Sequence, residues 1–263
     1  MAKKKFSPSK LTTYLTCPRK YKFKYLENLP EGTYGIELFL GTKVHETLEW
    51  AFATTPTPDL AQALKYFNDK WVNDWKDYIK ITKAGKVKED YRLMGEECLK
   101  NYWGREKAFE HGGIVGLEMM LDAPLDKDGE YWIWGYADRV VKTGVPGHYE
   151  IRDYKTGAWV PSQKDAESEI QLPVYNLGLL NRLSDCTDVT LVYDYVFKNK
   201  QVKFNKTPRQ LAYLKTKLLK TIKSIESETE WKTCVTKLCD WCSYKGICPA
   251  FNKENTDATS AKT

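Results

Sequence analysis

The spacing of apolar residues changes from helical to strand-like near the middle of the chain. In the first part, apolar side chains recur three and four residues apart, as in the long stripe from Leu60 to Tyr78, which predicts amphipathic helices. From residue 114 onward, short apolar and aromatic runs bounded by Gly, Asp and Pro predict strands. Helical spacing returns over residues 165–183 and again after Thr207, where a Thr-Pro step begins a helix.

This pattern predicts four regions along the chain. Residues 1–110 form a helical N-terminal region that carries Cys17 and His45, and residues 111–230 form a mixed α/β core. Residues 231–251 are rich in cysteine. Residues 252–263 are small and polar and are expected to be a disordered tail.

The strongest local prediction is a β-hairpin over residues 132–157, with a turn that contains two glycines and a proline. Side chains alternate between the two faces of a strand, so Asp153 and Lys155 share one face and Tyr154 points to the other. If the two strands pair, Asp138 reaches the same neighbourhood from the first strand. The hairpin therefore predicts a cluster of two carboxylates and one ammonium group.

Such a cluster suits the hydrolysis of phosphodiester bonds with a divalent metal ion. Mg2+ prefers carboxylate and carbonyl oxygens and keeps several waters. A bound ion lowers the pKa of its water and neutralises developing charge on the phosphate. The competing interpretation is a surface hairpin with an ordinary salt bridge between Asp153 and Lys155, because exposed pairs of this kind are common and contribute little.

Composition narrows the class of protein. The 263 residues are 42% hydrophobic, which is enough for a folded core, and the net charge of +6 permits a polyanionic partner without requiring one. No apolar run is long enough to span a membrane. No apolar segment follows the basic start Met1-Ala-Lys-Lys-Lys, so we expect no secretion signal and no membrane partner.

Three of the seven cysteines form a tight group, Cys239-x2-Cys242-x5-Cys248, followed by Pro249. An odd number of cysteines in a chain without a secretion signal argues against a disulfide framework. A C-x2-C step lets two thiolates bind one metal centre. A four-thiolate site needs one further ligand, and both Cys234 and Cys17 are candidates.

Two other polar positions stand out. His45 shares a helix face with Leu48 and Phe52 and points inward, where a lone histidine is more often a hydrogen-bonded core residue than a ligand. Glu118 is an acid within an apolar strand. It is either a third carboxylate for the site or half of an ion pair at an edge, and the sequence favours neither.

The motifs together resemble the RecB-type branch of the PD-(D/E)xK nucleases, including iron–sulfur exonucleases of CRISPR adaptation modules, AddB-like nuclease domains and phage relatives. The resemblance runs through most of the chain and is carried by these motifs: Ser7-x-Ser9-x4-Tyr14-Leu15-x-Cys17-Pro18-x2-Tyr21, Gly41-x2-Val44-His45, Gly135-Tyr136-x-Asp138-Arg139, Asp153-Tyr154-Lys155-Thr156-Gly157, Gln171-x3-Tyr175 and the cysteine triad with Pro249. The second acidic position is Asp153, where many members of the family have Glu.

The resemblance implies a fold and a set of site residues. The fold would be a restriction-endonuclease-like α/β core, a mixed sheet flanked by helices, with an N-terminal helical cap and a C-terminal iron–sulfur region. The residues implied for Mg2+ or Mn2+ are His45, Asp138, Asp153 and the backbone carbonyl of Tyr154. Lys155 would stabilise charge or orient water, and Gln171 and Tyr175 would brace it.

The resemblance also implies a cofactor and partners. Cys17, Cys239, Cys242 and Cys248 would hold a [4Fe-4S] cluster, which packs residues 231–251 back onto the N-terminus and leaves Cys234 spare. The expected substrate is DNA, single-stranded or with free ends, in the cytoplasm of a prokaryote or a phage-infected host. A helicase, recombination or CRISPR-adaptation protein is an expected partner, and relatives include ring-forming homo-oligomers.

Three alternatives stay open at this stage. The four thiolates also suit Zn2+, which would make the chain a zinc-stapled nuclease. The fold could serve a non-catalytic DNA-binding or assembly subunit, although the intact Asp138, Asp153 and Lys155 argue against this. The chain could also be an accessory subunit whose cleavage matters only with a partner.

Overall fold

A mixed β-sheet forms the centre of the computed structural model, which describes residues 3–31, 34–105 and 113–252. In the described chain its strands are β1 (Lys4–Phe6), β4 (Ile114–Pro124), β5 (Tyr131–Lys142), β6 (His148–Lys155), β7 (Asp188–Tyr195) and β8 (Lys200–Phe204). Two further short strands, β2 (Tyr34–Gly35) and β3 (Ile79–Lys80), pair with each other in parallel.

Strand β5 is the strand around which the site is built. Strand β4 pairs with it antiparallel along one edge, over residues 132–141. The opposite edge is shared: β1 pairs in parallel with residues 131–133, and β6 pairs antiparallel with residues 139–142. Residues 134–138 therefore have no ladder partner on that edge among the described strands, and the sheet opens there.

The sheet continues on the other side of β6. Strand β7 pairs with β6 in parallel over eight residues, from His148 opposite Asp188 to Lys155 opposite Tyr195. A parallel pair needs a crossover, and this one contains two helices, α6 (Gln163–Ser168) and α7 (Gln171–Arg182). Strand β8 then returns antiparallel to β7.

Helices cover both faces of the sheet. The other α-helices of the described residues are α1 (Pro8–Thr16), α2 (Pro18–Tyr21), α3 (Ile36–Ala53), α4 (Leu60–Asn73), α5 (Lys88–Trp103) and α8 (Pro208–Glu226). Helix α1 begins as its sequence predicts, because the Ser7 hydroxyl accepts from the backbone N–H of Lys10 and Pro8 occupies the first turn. Thr207 and Gln210 form a reciprocal capping box at the start of α8.

The apolar core has two parts, one on each side of the sheet. The first lies between the sheet and helices α1, α7 and α8, and includes Ile133, Ile151, Leu179 and Ile222. The second is formed by α3, α4 and α5 and contains Val44, Phe67 and Trp71 together with the Tyr154 ring from β6. Two oppositely placed cores are the packing expected of a mixed α/β domain.

The structure departs from the predicted elements in several places. The single helix predicted over residues 165–183 is two helices, α6 and α7, because the chain breaks at residues 169–170 and Pro173 lies in the first turn of α7, where its missing N–H is harmless. The helix that begins at Leu60 ends at Asn73, although the apolar stripe in the sequence continues to Tyr78. Residues 187–197 are one of the apolar and aromatic runs that predict strands, but the strand itself ends at Tyr195 and the chain continues as a 3-10 turn.

The predicted hairpin, the predicted tail and strand β1 can also be compared with the helices and strands of the structure. The hairpin predicted over residues 132–157 is confirmed as β5 and β6. Strand β1 was not predicted, because three residues are too few to show alternation. The tail predicted at 252–263 lies, beyond Asn252, outside the described residues. In the described part of the chain no helix is long and apolar enough to cross a membrane.

Candidate active site

Asp138 lies where β5 and β6 separate. The last residue pair of their ladder joins Arg139 to Arg152, so Asp138 and Asp153 are the first residues beyond it. Instead of bonding to a β5 carbonyl, the backbone N–H of Tyr154 donates to Oδ2 of Asp138 at 2.6 Å. The opening of the sheet therefore places the Asp138 carboxylate beside the backbone of Tyr154, which follows Asp153 in the second motif.

Helix α3 brings His45 to this point from the other core. Its Nε2 lies 2.9 Å from the backbone carbonyl oxygen of Tyr154, and its Nδ1 lies 3.4 Å from Oδ2 of Asp138. Burial opposes the charge on His45, but the Asp138 carboxylate outweighs it and raises the pKa of His45 to about 9. In the metal-free protein the imidazolium can donate to both oxygens, and these are two of the expected metal ligands.

Glu118 completes a compact group of possible ligands. It lies on β4 opposite Asp138, between the pairs Leu117–Arg139 and Met119–Ala137, and its φ of 41° is in the left-handed region. One ligand atom from each of His45, Glu118 and Asp138 lies within 4.8 Å of the others. Burial and then the Asp138 charge raise the pKa of Glu118. The signal in the sequence was an acid within an apolar strand.

Asp153 and Lys155 lie on the α7 side of β6 and contact each other directly. Lys155 Nζ is 2.7 Å from Asp153 Oδ2. Gln171, at the start of α7, joins the pair, since its Oε1 accepts from Lys155 at 3.0 Å and its Nε2 donates to Asp153 Oδ1 at 2.8 Å. Burial raises the pKa of Asp153. Lys155 lowers this pKa and the Asp138 charge raises it, and the net result is a pKa of about 6.

Tyr175 positions Gln171 from one turn further along α7. Its hydroxyl lies 3.0 Å from Gln171 Nε2, as the i, i+4 spacing predicts. Its ring packs over Gly135 of β5, where a Cβ atom would lie 2.5 Å from Tyr175 Cε1. The glycine of the Gly135-Tyr136-x-Asp138 motif is therefore needed for the approach of α7 to the sheet.

The predicted cluster cysteines meet at a separate place. Cys17, Cys239, Cys242 and Cys248 line one cavity of about 240 Å3, together with Cys234, and all five thiols are free. Tyr21 of α2 stacks on Trp231 with ring centroids 5.8 Å apart, which holds the two ends of the chain together. Within the described residues no three cysteine sulfurs lie within 4.8 Å of one another. A tetrahedral Zn2+ site, with Zn–S bonds of ~2.3 Å, would require closer sulfurs than this.

Comparison with known proteins identifies the family. The sequence matches the PD-(D/E)XK nuclease superfamily over residues 5–249, and the chain therefore belongs to that superfamily. It is a metal-dependent phosphodiesterase with DNA as the substrate class, and its mixed sheet flanked by helices is the nuclease fold expected from the motifs. The predicted superfamily is confirmed.

One solved structure has the same fold at low sequence identity. A protein from Eubacterium rectale, named as a candidate exonuclease, is 16% identical, with a TM-score of 0.54 over 90% of this chain and 86% of its own. SSO0001 is 15% identical over 96% of this chain and 89% of its own, with a TM-score of 0.43. No curated protein matches the sequence.

Proposed function

We propose that this chain is an exonuclease that hydrolyses single-stranded DNA, or DNA with free ends, with Mg2+ or Mn2+. The observation that carries the proposal is the pairing of two groups: the compact set His45, Glu118 and Asp138, and the adjoining Asp153–Lys155 pair. The first group offers hard oxygen and imidazole ligands, and the second offers a fixed cation. The neighbour named as a candidate exonuclease supports activity at DNA ends.

The ligands that we assign to the divalent ion are His45, Asp138, Asp153 and the Tyr154 carbonyl, and we add Glu118. Their donor set fits Mg2+ or Mn2+, because these ions prefer carboxylate and carbonyl oxygens. When bound, such an ion lowers the pKa of a water molecule and neutralises charge that develops on the phosphate. A metal ion bound at one ring nitrogen of His45 would take the place of the proton on that nitrogen, while the other nitrogen would keep its proton.

Lys155 has the role of stabilising negative charge on the scissile phosphate or orienting the attacking water. Burial disfavours its charged form, but Asp153 outweighs burial, and the pKa of Lys155 is raised above its ordinary value. It therefore stays an ammonium donor at neutral pH. Gln171 holds Lys155 and Asp153 in a fixed relation, which lets the charge act without rearrangement during the reaction.

The cysteine cavity supports a [4Fe-4S] cluster that joins the two ends of the chain. Four of the cysteines that line it match the expected ligands, and Arg19, Lys20 and Lys245 also line it and would offset the charge of thiolate ligands. A link between residue 17 and residues 239–248 closes a loop of nearly the whole chain, which restricts the unfolded state. We assign the cluster a structural role.

The test uses anaerobically purified protein and single-stranded DNA labelled at one end. With Mn2+, we expect progressive shortening that EDTA and Lys155→Ala abolish, while the matched surface variant Lys65→Ala cleaves like the wild type. If the wild type and Lys155→Ala are equally inert with Mn2+ but still bind DNA, the catalytic proposal is wrong. The chain would then act as a binding subunit or require a partner such as a helicase.

The cofactor is tested on the same preparation. An iron–sulfur cluster gives a brown protein whose visible absorption bleaches on reduction, whereas Zn2+ is colourless because its d shell is full. We expect Cys17→Ser to lose the colour and lower the unfolding temperature, and Cys186→Ser, at a buried thiol outside the cavity, to keep the colour. A colourless protein that contains stoichiometric zinc would show the zinc-stapled alternative to be right.

A further inference from the structure

Aromatic side chains form a partly exposed surface on β5, directly beside the candidate active site, with Trp132 and Trp134 half-buried and Tyr136 exposed. Trp132, Trp134 and Tyr136 alternate with buried Ile133, Gly135 and Ala137, so the three aromatic residues share the outward face of the strand. Tyr136 is 50% exposed, and its ring lies 5.8 Å from that of Trp134 in an edge-to-face arrangement. We call these three residues the aromatic row.

The neighbouring strand extends the same surface. Met120 of β4 is opposite Tyr136 in the register and is 37% exposed, and Asp122 is opposite Trp134. The surface is therefore about two strands wide and mainly apolar. Contiguous apolar surface on a folded domain is a feature of binding sites.

The aromatic row leads into the catalytic residues. Tyr136 lies two positions before Asp138 on β5, and Met120 lies two positions after Glu118 on β4. Two residues of a strand span roughly 6.8 Å, so the last ring of the row is about that distance along the backbone from the carboxylate. A chain lying along β5 would reach the divalent-ion ligands without leaving the surface.

Positive charge lies at the far end of the row. Lys3 Nζ is 3.7 Å from the centroid of the Trp132 ring, a cation–π contact that holds the lysine over the surface. Lys5 is paired with Asp122 at 3.2 Å, so the acid on this surface is already neutralised. Aromatic faces with adjoining cations are the combination that binds a flexible nucleic-acid strand.

We propose that the aromatic row binds the single-stranded DNA substrate by stacking on its bases, and so directs the strand into the active site. The inference rests on the proposed function, because it assigns a path to the substrate of the same site. Single-stranded DNA is the occupant that fits, since its bases have free faces and its phosphates complement Lys3. Paired bases in a duplex have no free faces to stack on the row.

The test measures binding without cleavage. In EDTA, Tyr136→Ala in the Lys155→Ala background is expected to weaken binding of a labelled single-stranded oligonucleotide by roughly 5- to 150-fold, the loss of one stacked base. Tyr136→Phe keeps the ring and should bind like the parent. The control is Tyr213→Ala, a tyrosine that is 73% exposed on α8, which packs on the other face of the sheet. A duplex of the same sequence should bind equally well to all four proteins.

Three binding results would overturn the inference: equal single-strand affinity of Tyr136→Ala and the parent, an equal loss in Tyr213→Ala, or an equal loss of duplex binding. Tyr136 is half exposed, so its truncation should not unfold the chain, and a thermal unfolding curve checks this. A shift of the wild type to a dimer that Tyr136→Ala abolishes would also overturn it, by assigning the row to a second copy of the chain. If wild-type protein cleaves but the row does not affect binding, this inference fails while the nuclease proposal stands.

Discussion

Replacing Gly135 with alanine should damage the active site without removing any functional group. The added Cβ would lie 2.5 Å from Cε1 of Tyr175, whereas two carbon atoms attract best at about 3.5–4.0 Å. The Tyr175 ring therefore has to retreat by roughly 1 Å. Because its hydroxyl contacts Gln171, and Gln171 contacts both Asp153 and Lys155, the displacement is passed to the catalytic pair.

The expected size of the effect follows from the clash. Overpacking of a buried site costs about 1–3 kcal/mol in the free energy of unfolding. For a domain of this size, each kcal/mol lowers the unfolding temperature by roughly 2–4 °C, so Gly135→Ala should unfold about 2–12 °C below the wild type. A misplacement of roughly 1 Å at the catalytic pair should reduce kcat on the order of 100-fold, with KM changed much less.

Thermal unfolding and Mn2+-dependent cleavage of end-labelled DNA measure both effects. The matched control is Gly144→Ala, since no atom lies within 4 Å of its added Cβ, and this variant should behave like the wild type. In a Tyr175→Leu background the obstructing ring is gone, so Gly135→Ala should cost much less stability than it does in the wild type. Equal stability and activity of Gly135→Ala and Gly144→Ala, or an undiminished cost in that background, would refute the reasoning.

Three further results are expected. At neutral pH and above, Glu118→Gln should raise the unfolding temperature in EDTA, because burial and the Asp138 charge raise the pKa of that carboxyl and disfavour its ionised form. It should also reduce the stabilisation that Mn2+ gives, and an unchanged response to Mn2+ would remove Glu118 from the ligand set. The pKa of His45 is raised from 6.5 to about 9, so the contribution of its charged form to stability is full below pH 6.5 and is lost as the pH rises through 9. The fall in unfolding temperature between pH 6 and pH 9.5 in EDTA should therefore be smaller in His45→Gln than in the wild type. Identical falls in the two proteins would contradict this. Asp194 is fully buried and accepts hydrogen bonds from the side chains of Arg105 and Arg152. Asp194→Ala should therefore lower the free energy of unfolding by about 3–5 kcal/mol in urea titrations. A loss under about 1 kcal/mol would show that these ion pairs are not buried in solution.

Much of the local structure could be predicted from the sequence. Helix starts at Ser7 and Thr207 were predictable because a capping side chain needs neighbours only three residues away. The hairpin and the shared face of Asp153 and Lys155 followed from the two-residue period of a strand. The one helix at 165–183 was predicted wrongly, because the apolar pattern runs through the break before Gln171 without interruption.

The candidate site was predictable only as a list of residues. Asp138, Asp153 and Lys155 were named from the motifs, but their spacing did not show that the sheet opens beside Asp138 or that Tyr154 donates to it. For Glu118 the sequence left two interpretations equally open. Its place opposite Asp138 depends on the register between β4 and β5, which long-range pairing decides.

By itself, the sequence determined the helices, the strands and the chemistry available, because periodicity, capping and side-chain type act over a few residues. Only the tertiary structure decided that α3 brings His45 to the Tyr154 carbonyl, that α7 needs Gly135 for its close approach, and that β4 places Glu118 opposite Asp138. These relations join residues far apart in the chain. They depend on which faces pack together and at what distance, and no local pattern of residues records that distance.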